Sequence, residues 1–327
     1  MADVNWPFTT SFSPLVDAVR AHGTRWAAEF RLVRTPQSLR RFRQADTPWL
    51  AAATYPEAEN TLLHCAHDWM VWLIAFDDEF DESGVGRDPN QGQAITARMY
   101  AVLEGAEDND ESPASLALSD LAGRLRYVGG PSWKDRFLRH VDEYFQSYGW
   151  ESRNRELGLV PSPEEYLQQR LHTGAVQTCF DLVQPALGLE TESLVWESAP
   201  VRALEALASE VISLTNDIVS YPKERARGDF HNLVAIHCHR DGLTVDESVS
   251  LVVQRINDDL SVFESAAIAA SVATPPVDRR SVNRYADGLR AWMKGNYDWS
   301  LRSARFSKID STPVGQTPAH IGDILER

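Results

Sequence analysis

Basic side chains are in short supply: 32 Lys and Arg against 47 Asp and Glu leave a formal net charge of −15 over 327 residues. A nucleic-acid surface needs a basic footprint, so that class of partner is set aside, and an anionic membrane surface is disfavoured with it. Cysteine is scarcer still. Cys65, Cys179 and Cys238 are odd in number, far apart and without metal-ligand spacing, which reads as reduced thiols and not as a disulfide framework or a zinc site. No apolar run reaches the roughly 20 residues that a membrane-spanning helix needs. The opening stretch "MADVNWPFTTSFSPLVDAVR" carries no basic-then-apolar leader. These absences together predict a cytoplasmic protein. Alternating β-branched runs are missing as well, no break is long enough to link two domains, and no repeat period is visible.

What is present is helix pattern. "SPLVDAVRAHGTRWAAEF" (13–30) places apolar residues at helical spacing, with Pro14 suited to a first turn. "PEAENTLLHCAHDWMVWLIAFDDEFDE" (56–82) is apolar on most faces and reads as a central helix. Ser162, Pro163 and Glu165 open another as a capping box with proline in the first turn. Long helical segments follow around 200–228, 244–273 and 283–306. One all-α domain spanning 1–327 is expected. Ten Trp, nine Tyr and twelve Phe could fill a core or line a pocket.

The stretch "FDDEFDE" (76–82) gathers five carboxylates at the end of the central helix. With about 100° between successive residues, Asp77 and Asp81 share a face, Glu82 lies slightly off it and Asp78 a quarter turn away. Like charges at i, i+4 repel, and the helix C-terminus disfavours anions further. Mg²⁺ reverses the sign, because it takes oxygen ligands and sits between a few carboxylates and a substrate phosphate. A solvated acidic helix end is the bland alternative, as "EDNDE" at 107–111 illustrates. One and two turns below Asp77 lie Leu73, Ile74, Met70 and Trp69, an apolar wall under an acidic rim.

A second set lies in "NDIVSYPKE". Asn216, Ser220 and Glu224 fall at i, i+4 and i+8, one stripe of amide, hydroxyl and carboxylate oxygens suited to a hard cation. Lys223 adds a positive charge for a phosphate, and Ile212, Ser213 and Ser209 continue the stripe below. The chain also holds an incomplete copy: "INDDLSVFE" has Asn257 and Ser261 at the same spacing, but Ser265 where the carboxylate would be.

"DDEFDE" and "NDIVSYPKE", in that order and about 140 residues apart, resemble the motifs of bacterial class I terpene synthases, and the resemblance covers nearly the whole chain. It implies a single-domain α-helical bundle of the class I terpenoid synthase type. In that family the acidic motif and the Asn/Ser/Glu triad face each other across the bundle mouth and bind three Mg²⁺ with the diphosphate of an isoprenyl substrate. Asp77, Asp81, Glu82, Asn216, Ser220 and Glu224 are the metal ligands implied. The family's diphosphate-sensing arginine, 46 positions before the triad Asn, falls on Arg170, and the helix break that follows it on Thr173 and Gly174. Gly174 would offer a freed backbone and a carbonyl aimed at a developing cation. The family's C-terminal Arg-Tyr pair matches Arg305–Phe306, so the guanidinium is carried over and the tyrosine hydroxyl is not.

The resemblance implies ionisation of farnesyl diphosphate, with Arg170, Lys223 and Arg305 stabilising the leaving diphosphate and aromatic faces the carbocation. Trp69, Trp72, Phe76, Phe80 and Phe180 are the aromatic candidates. It also implies a cyclised terpene and a homodimer. Geranylgeranyl diphosphate is the alternative substrate. A prenyl chain-elongating synthase would need a second acidic motif in place of "NDIVSYPKE". His64, His67 and Asp68 suggest an HD-type phosphohydrolase, but they sit within one apolar helix without clear partners and read as structural. A non-catalytic helical interaction protein is the rival of a different class, and the intact ligand sets argue against it.

Overall fold

The computed structural model describes residues 4–83, 85–106, 111–307 and 323–325, without the side chains of Asp81, Glu82, Ser83, Arg87 and Ser307. The helices are α1 (Val16–Glu29), α2 (Pro36–Ala45), α3 (Thr47–Thr54), α4 (Asn60–Ser83), α5 (Pro89–Glu104), α6 (Pro113–Leu125), α7 (Pro131–Leu157) and α8 (Pro163–Thr173). They continue with α9 (Val176–Phe180), α10 (Val183–Ala186), α11 (Ala199–Arg227), α12 (Leu233–Arg240), α13 (Val245–Ala273), α14 (Arg279–Arg302) and α15 (Ala304–Ser307). No strand occurs among the described residues, and the all-α expectation holds.

Local chemistry sets the helix starts. Thr35, Asp88, Ser112, Ser162, Asn232 and Thr244 each accept a backbone N–H of the first turn, and proline follows the first four directly. At Ser162 only half of the expected capping box forms. The serine caps Glu165 N at 3.1 Å, while the Glu165 carboxylate takes the Trp150 indole N–H at 3.0 Å. Helices α2, α3, α5 and α12 do not emerge from periodicity. Helix α3 is buried on nearly every side, so it shows no amphipathic pattern, and α5 begins at Pro89 inside the stretch 83–92, whose glycines and proline signal a break in sequence.

Helix α4 packs against α1, α3 and α6, α7 against α5, and α11 against α13 and α14. Gly295 lets α14 lie close on α3, since a Cβ there would meet the Ala53 backbone and Cβ at 3.0 Å. The His64/His67/Asp68 group is a structural knot. Asp68, fully buried, accepts from His22 at 2.6 Å, Arg124 at 2.8 Å and His67 at 3.0 Å, tying α1 and α6 to α4. Burial alone would raise the Asp68 carboxyl, but these partners hold it down at about 2.

Candidate active site

The triad stripe on α11 is held from behind. Arg170, on α8, donates through Nη2 to Asn216 Oδ1 and to Asp217 Oδ1, each at 3.0 Å, and through Nη1 to Thr173 Oγ1 at 3.1 Å. Asp217 is fully buried and also accepts from Tyr166 OH at 2.7 Å and Leu233 N at 2.9 Å. Burial would lower the Arg170 pKa, yet Tyr166, Asp217 and Glu224 outweigh it and keep the guanidinium charged. Glu224 accepts from Asn232 Nδ2 at 2.7 Å. Its carboxyl is pushed up to about 7, first by burial and then by Asp217, against the lowering effect of Arg170 and Asn232.

At the end of α4, Asp78 collects cations from three helices. Arg305 Nη1 lies 2.6 Å from Oδ2, Arg41 Nη2 3.3 Å from both oxygens, and Lys223 Nζ 3.6 Å from Oδ1. Asp77 Oδ2 is 3.6 Å from Arg305 Nη2, and Tyr148 OH donates to its Oδ1 at 3.4 Å. Tyr148 in turn hydrogen-bonds Tyr144. The two motifs, about 140 residues apart in sequence, therefore meet: Lys223 from one and Asp78 from the other form an ion pair. Asp81 and Glu82 continue α4, but their side chains lie outside the described residues.

Below this rim lies a cavity of about 170 Å³. It shares Asp77, Asn216, Arg305 and Phe306 with an outer mouth of about 420 Å³ that Ser220, Lys223 and Glu224 also line. Met70, Leu73 and Ile74 form its α4 wall as expected, facing Ile212 on α11. The aromatic expectation is wrong for this cavity. Tyr144, Trp292, Trp299 and Phe306 line it, and none of Trp69, Trp72, Phe76, Phe80 or Phe180 does. Trp69, Trp72, Phe76 and Phe80 stand on the neighbouring stripe of α4, roughly 100° around the helix, packed one on the next with centroids 4.7–5.6 Å apart. Phe80 reaches the outer mouth, and Phe180 packs edge-on against Trp292 at 6.0 Å. The apolar positions of α4 fill two faces, and spacing alone does not say which one meets the cavity. Phe306 lies on Trp299, centroids 5.6 Å apart, and adds a wall where a tyrosine would add a hydroxyl.

The α8–α9 break falls where expected, with one correction. Gly174 has φ −85°, ψ −2°, open to any residue, and the left-handed conformation belongs to Ala175 at φ 53°. Such strain in a non-glycine residue costs about 1–3 kcal/mol and clusters at functional sites. Gly174 lines the cavity, and a Cβ there would sit 3.4 Å from Val176 and 3.6 Å from Ser213. Neither its backbone conformation nor these ordinary contacts demands a glycine there.

The α11 stripe fits a divalent metal. Its donors are all hard oxygens, and Ser220 Oγ is 3% exposed without a hydrogen-bond partner, an orphan that a cation would satisfy. Among the described residues no three or more His, Cys, Asp and Glu form a metal-holding group; the stripe relies on an amide and a hydroxyl beside its carboxylate. Sequence reasoning missed Arg41, Asp217, Asn232 and the cation-collecting role of Asp78. Asp217 adjoins Asn216, and Asn232 precedes an apolar run as an N-cap should, but neither signal reveals what these side chains touch.

The family profile described as "Terpene synthase family 2, C-terminal metal binding" matches residues 68–261. The chain is 35% identical over 307 residues, 92% of each protein, to a (+)-T-muurolol synthase, described as (2E,6E)-farnesyl diphosphate cyclizing, from Roseiflexus castenholzii. It is 32% identical to a 4-epi-cubebol synthase from Streptosporangium roseum, likewise described as farnesyl diphosphate cyclizing, over 92% of this chain and 90% of that protein. Among solved structures, the germacradien-4-ol synthase of Streptomyces citricolor superimposes with a TM-score of 0.78 at 27% identity, covering 91% of this chain and 98% of that one.

Proposed function

The chain belongs to terpene synthase family 2, lyases that act on prenyl diphosphates, and from that premise we propose that it ionises farnesyl diphosphate with Mg²⁺ and cyclises the cation to a C15 terpene. One observation carries this reading: Arg170 bonds Asn216 on one side of the mouth, while Asp78 gathers Arg41, Lys223 and Arg305 on the other, above an apolar cavity. Asp77, with Asp81 and Glu82 beyond it, and the triad Asn216, Ser220 and Glu224 would hold three Mg²⁺. Bound there, the metal supplies the charge that neutralises a leaving diphosphate.

The chain's own residues do the rest. Arg170, Lys223 and Arg305 hold diphosphate oxygens by charge-assisted hydrogen bonds, so the C1–O bond breaks toward a preorganised positive field. Met70, Leu73, Ile74 and Ile212 exclude water from the allylic cation, and the faces of Trp292, Trp299 and Phe306 attract it. The Gly174 carbonyl, at the helix break beside Ser213, adds a dipole. The cation closes its ring and loses a proton, for which the departing diphosphate is the acceptor. We read the activity as that of one domain, residues 1–327, in the cytoplasm.

The test is incubation with Mg²⁺ and, separately, the C10, C15 and C20 prenyl diphosphates, with extracts analysed by gas chromatography and mass spectrometry. A C15 product that disappears in Asp77→Ala is expected. A product from the C20 substrate alone would replace the sesquiterpene reading with a diterpene one, and no product from any substrate would leave the non-catalytic rival standing.

A further inference from the structure

Helix α11 runs unbroken from Ala199 to Arg227 but carries a proline in the middle of its ligand stripe. Pro222 lies inside the helix, between Ser220 and Glu224. Proline has no N–H, so the carbonyl four residues back, on Ile218, loses its helical donor, and the ring crowds that carbonyl. The position of Glu224 relative to Asn216 and Ser220 is therefore less firmly set by the backbone ladder than a regular helix would set it.

One side chain spans this gap. Asn232 is fully buried, and its Nδ2 donates both to the Asp217 carbonyl and to Glu224 Oε2, each at 2.7 Å. These contacts lie on either side of Pro222. The same amide's Oδ1 accepts from Val234 N at 2.9 Å and Ala235 N at 3.2 Å, capping α12. Every hydrogen-bonding atom of the amide group is in use. The geometry points to Asn232 as a positioning residue that clasps α11 across Pro222 and aims the Glu224 carboxylate at the metal. It acts through Glu224 and touches neither substrate nor metal. This rests on Glu224 being a ligand, as proposed above.

Loss of a partner that orients a metal-binding carboxylate weakens metal affinity by about 10–100-fold. Asn232→Ser keeps an N-cap oxygen but is too short to reach Glu224. Asn232→Asp keeps the shape and the cap but sets an oxygen against the Asp217 carbonyl and the Glu224 carboxylate, so it breaks the clasp at both ends without shortening the side chain. The measurement is calorimetric titration of Mn²⁺ with inorganic diphosphate, beside the thermal midpoint of each metal-free variant. Both variants are expected to bind Mn²⁺ about 10–100-fold more weakly. Pro222→Ala restores a backbone donor, so with it present the Asn232→Ser loss should shrink, a non-additivity that general destabilisation would not give. Wild-type Mn²⁺ affinity in Asn232→Ser and Asn232→Asp, or a loss of equal size with Pro222→Ala present, overturns the clasp. Glu224→Gln serves as reference. If it weakens binding and the Asn232 variants do not, only the clasp fails; if it too binds as wild type, the ligand assignment fails with it.

Discussion

Replacing Arg170 with lysine should lower kcat by about 10²–10³-fold, the cost of removing one preorganised donor from a developing anion. Lysine keeps the positive charge, so the buried carboxylate of Asp217 is not left without a counter-ion. What is lost is the fork. Arg170 reaches Thr173, Asn216 and Asp217 at once, at 3.0–3.1 Å, and a single ammonium on a flexible stem cannot hold three such partners in fixed directions. The guanidinium thereby locks the end of α8, where the chain turns through the strained Ala175, to the first triad residue. A diphosphate contact here would orient both the metal helix and the cavity wall. Steady-state kinetics should therefore show a fall in kcat larger than any rise in KM, since the interaction serves the transition state more than substrate binding. A lysine variant with unchanged kcat would remove Arg170 from the reaction.

The second large effect has two signs. Glu224→Gln should cost turnover about 100-fold or more, because the stripe loses its only formal charge and Mg²⁺ favours anionic oxygen. The same substitution should stabilise the metal-free protein at alkaline pH. The Glu224 carboxyl is raised from 4.5 to about 7 by burial and by Asp217, so between those values the folded state binds a proton that the unfolded state does not. Stability then falls as pH rises through that window, and above about pH 7 the folded protein carries the whole penalty. Glutamine removes the titration. Denaturation in the presence of a chelator should show wild type and variant close together near pH 4.5 and the variant more stable near pH 8. A variant less stable at both pH values would mean that the Glu224 charge is well accommodated without metal. This is the pattern of a site whose activity depends on local strain that other contacts must offset.

Much of this arrangement was legible because helical periodicity converts sequence spacing into direction. Asn216, Ser220 and Glu224 repeat at i+4, so they share a stripe whatever surrounds the helix, and Met70, Leu73 and Ile74 follow Asp77 down one wall for the same reason. The resemblance to terpene synthases placed Arg170 at 46 residues from Asn216, and the two side chains do meet. What failed was whatever depends on a partner helix. Trp69, Trp72 and Phe76 satisfy a helical spacing as well as Met70 does, but they face the neighbouring side of α4, against Phe137 and Phe145, and leave the aromatic lining of the inner cavity to α7, α14 and α15. Asp78 looked marginal a quarter turn from Asp77, because Arg41 and Arg305 approach it only in three dimensions. Asn232 offered an N-cap signal and nothing more, since its second set of bonds crosses to another helix. The left-handed residue proved to be Ala175 and not Gly174, because composition names the residue that could adopt a strained conformation, not the one that tertiary packing places there.

Crystals grown with Mn²⁺ and inorganic diphosphate, examined by anomalous diffraction, would test most directly whether the two motifs form one metal site. Anomalous peaks are expected at the mouth, bounded by Asp77 on α4 and by Asn216, Ser220 and Glu224 on α11, with the diphosphate held against Arg170, Lys223 and Arg305. Diphosphate bound there without Mn²⁺, or Mn²⁺ found only on carboxylates outside the mouth, would contradict it.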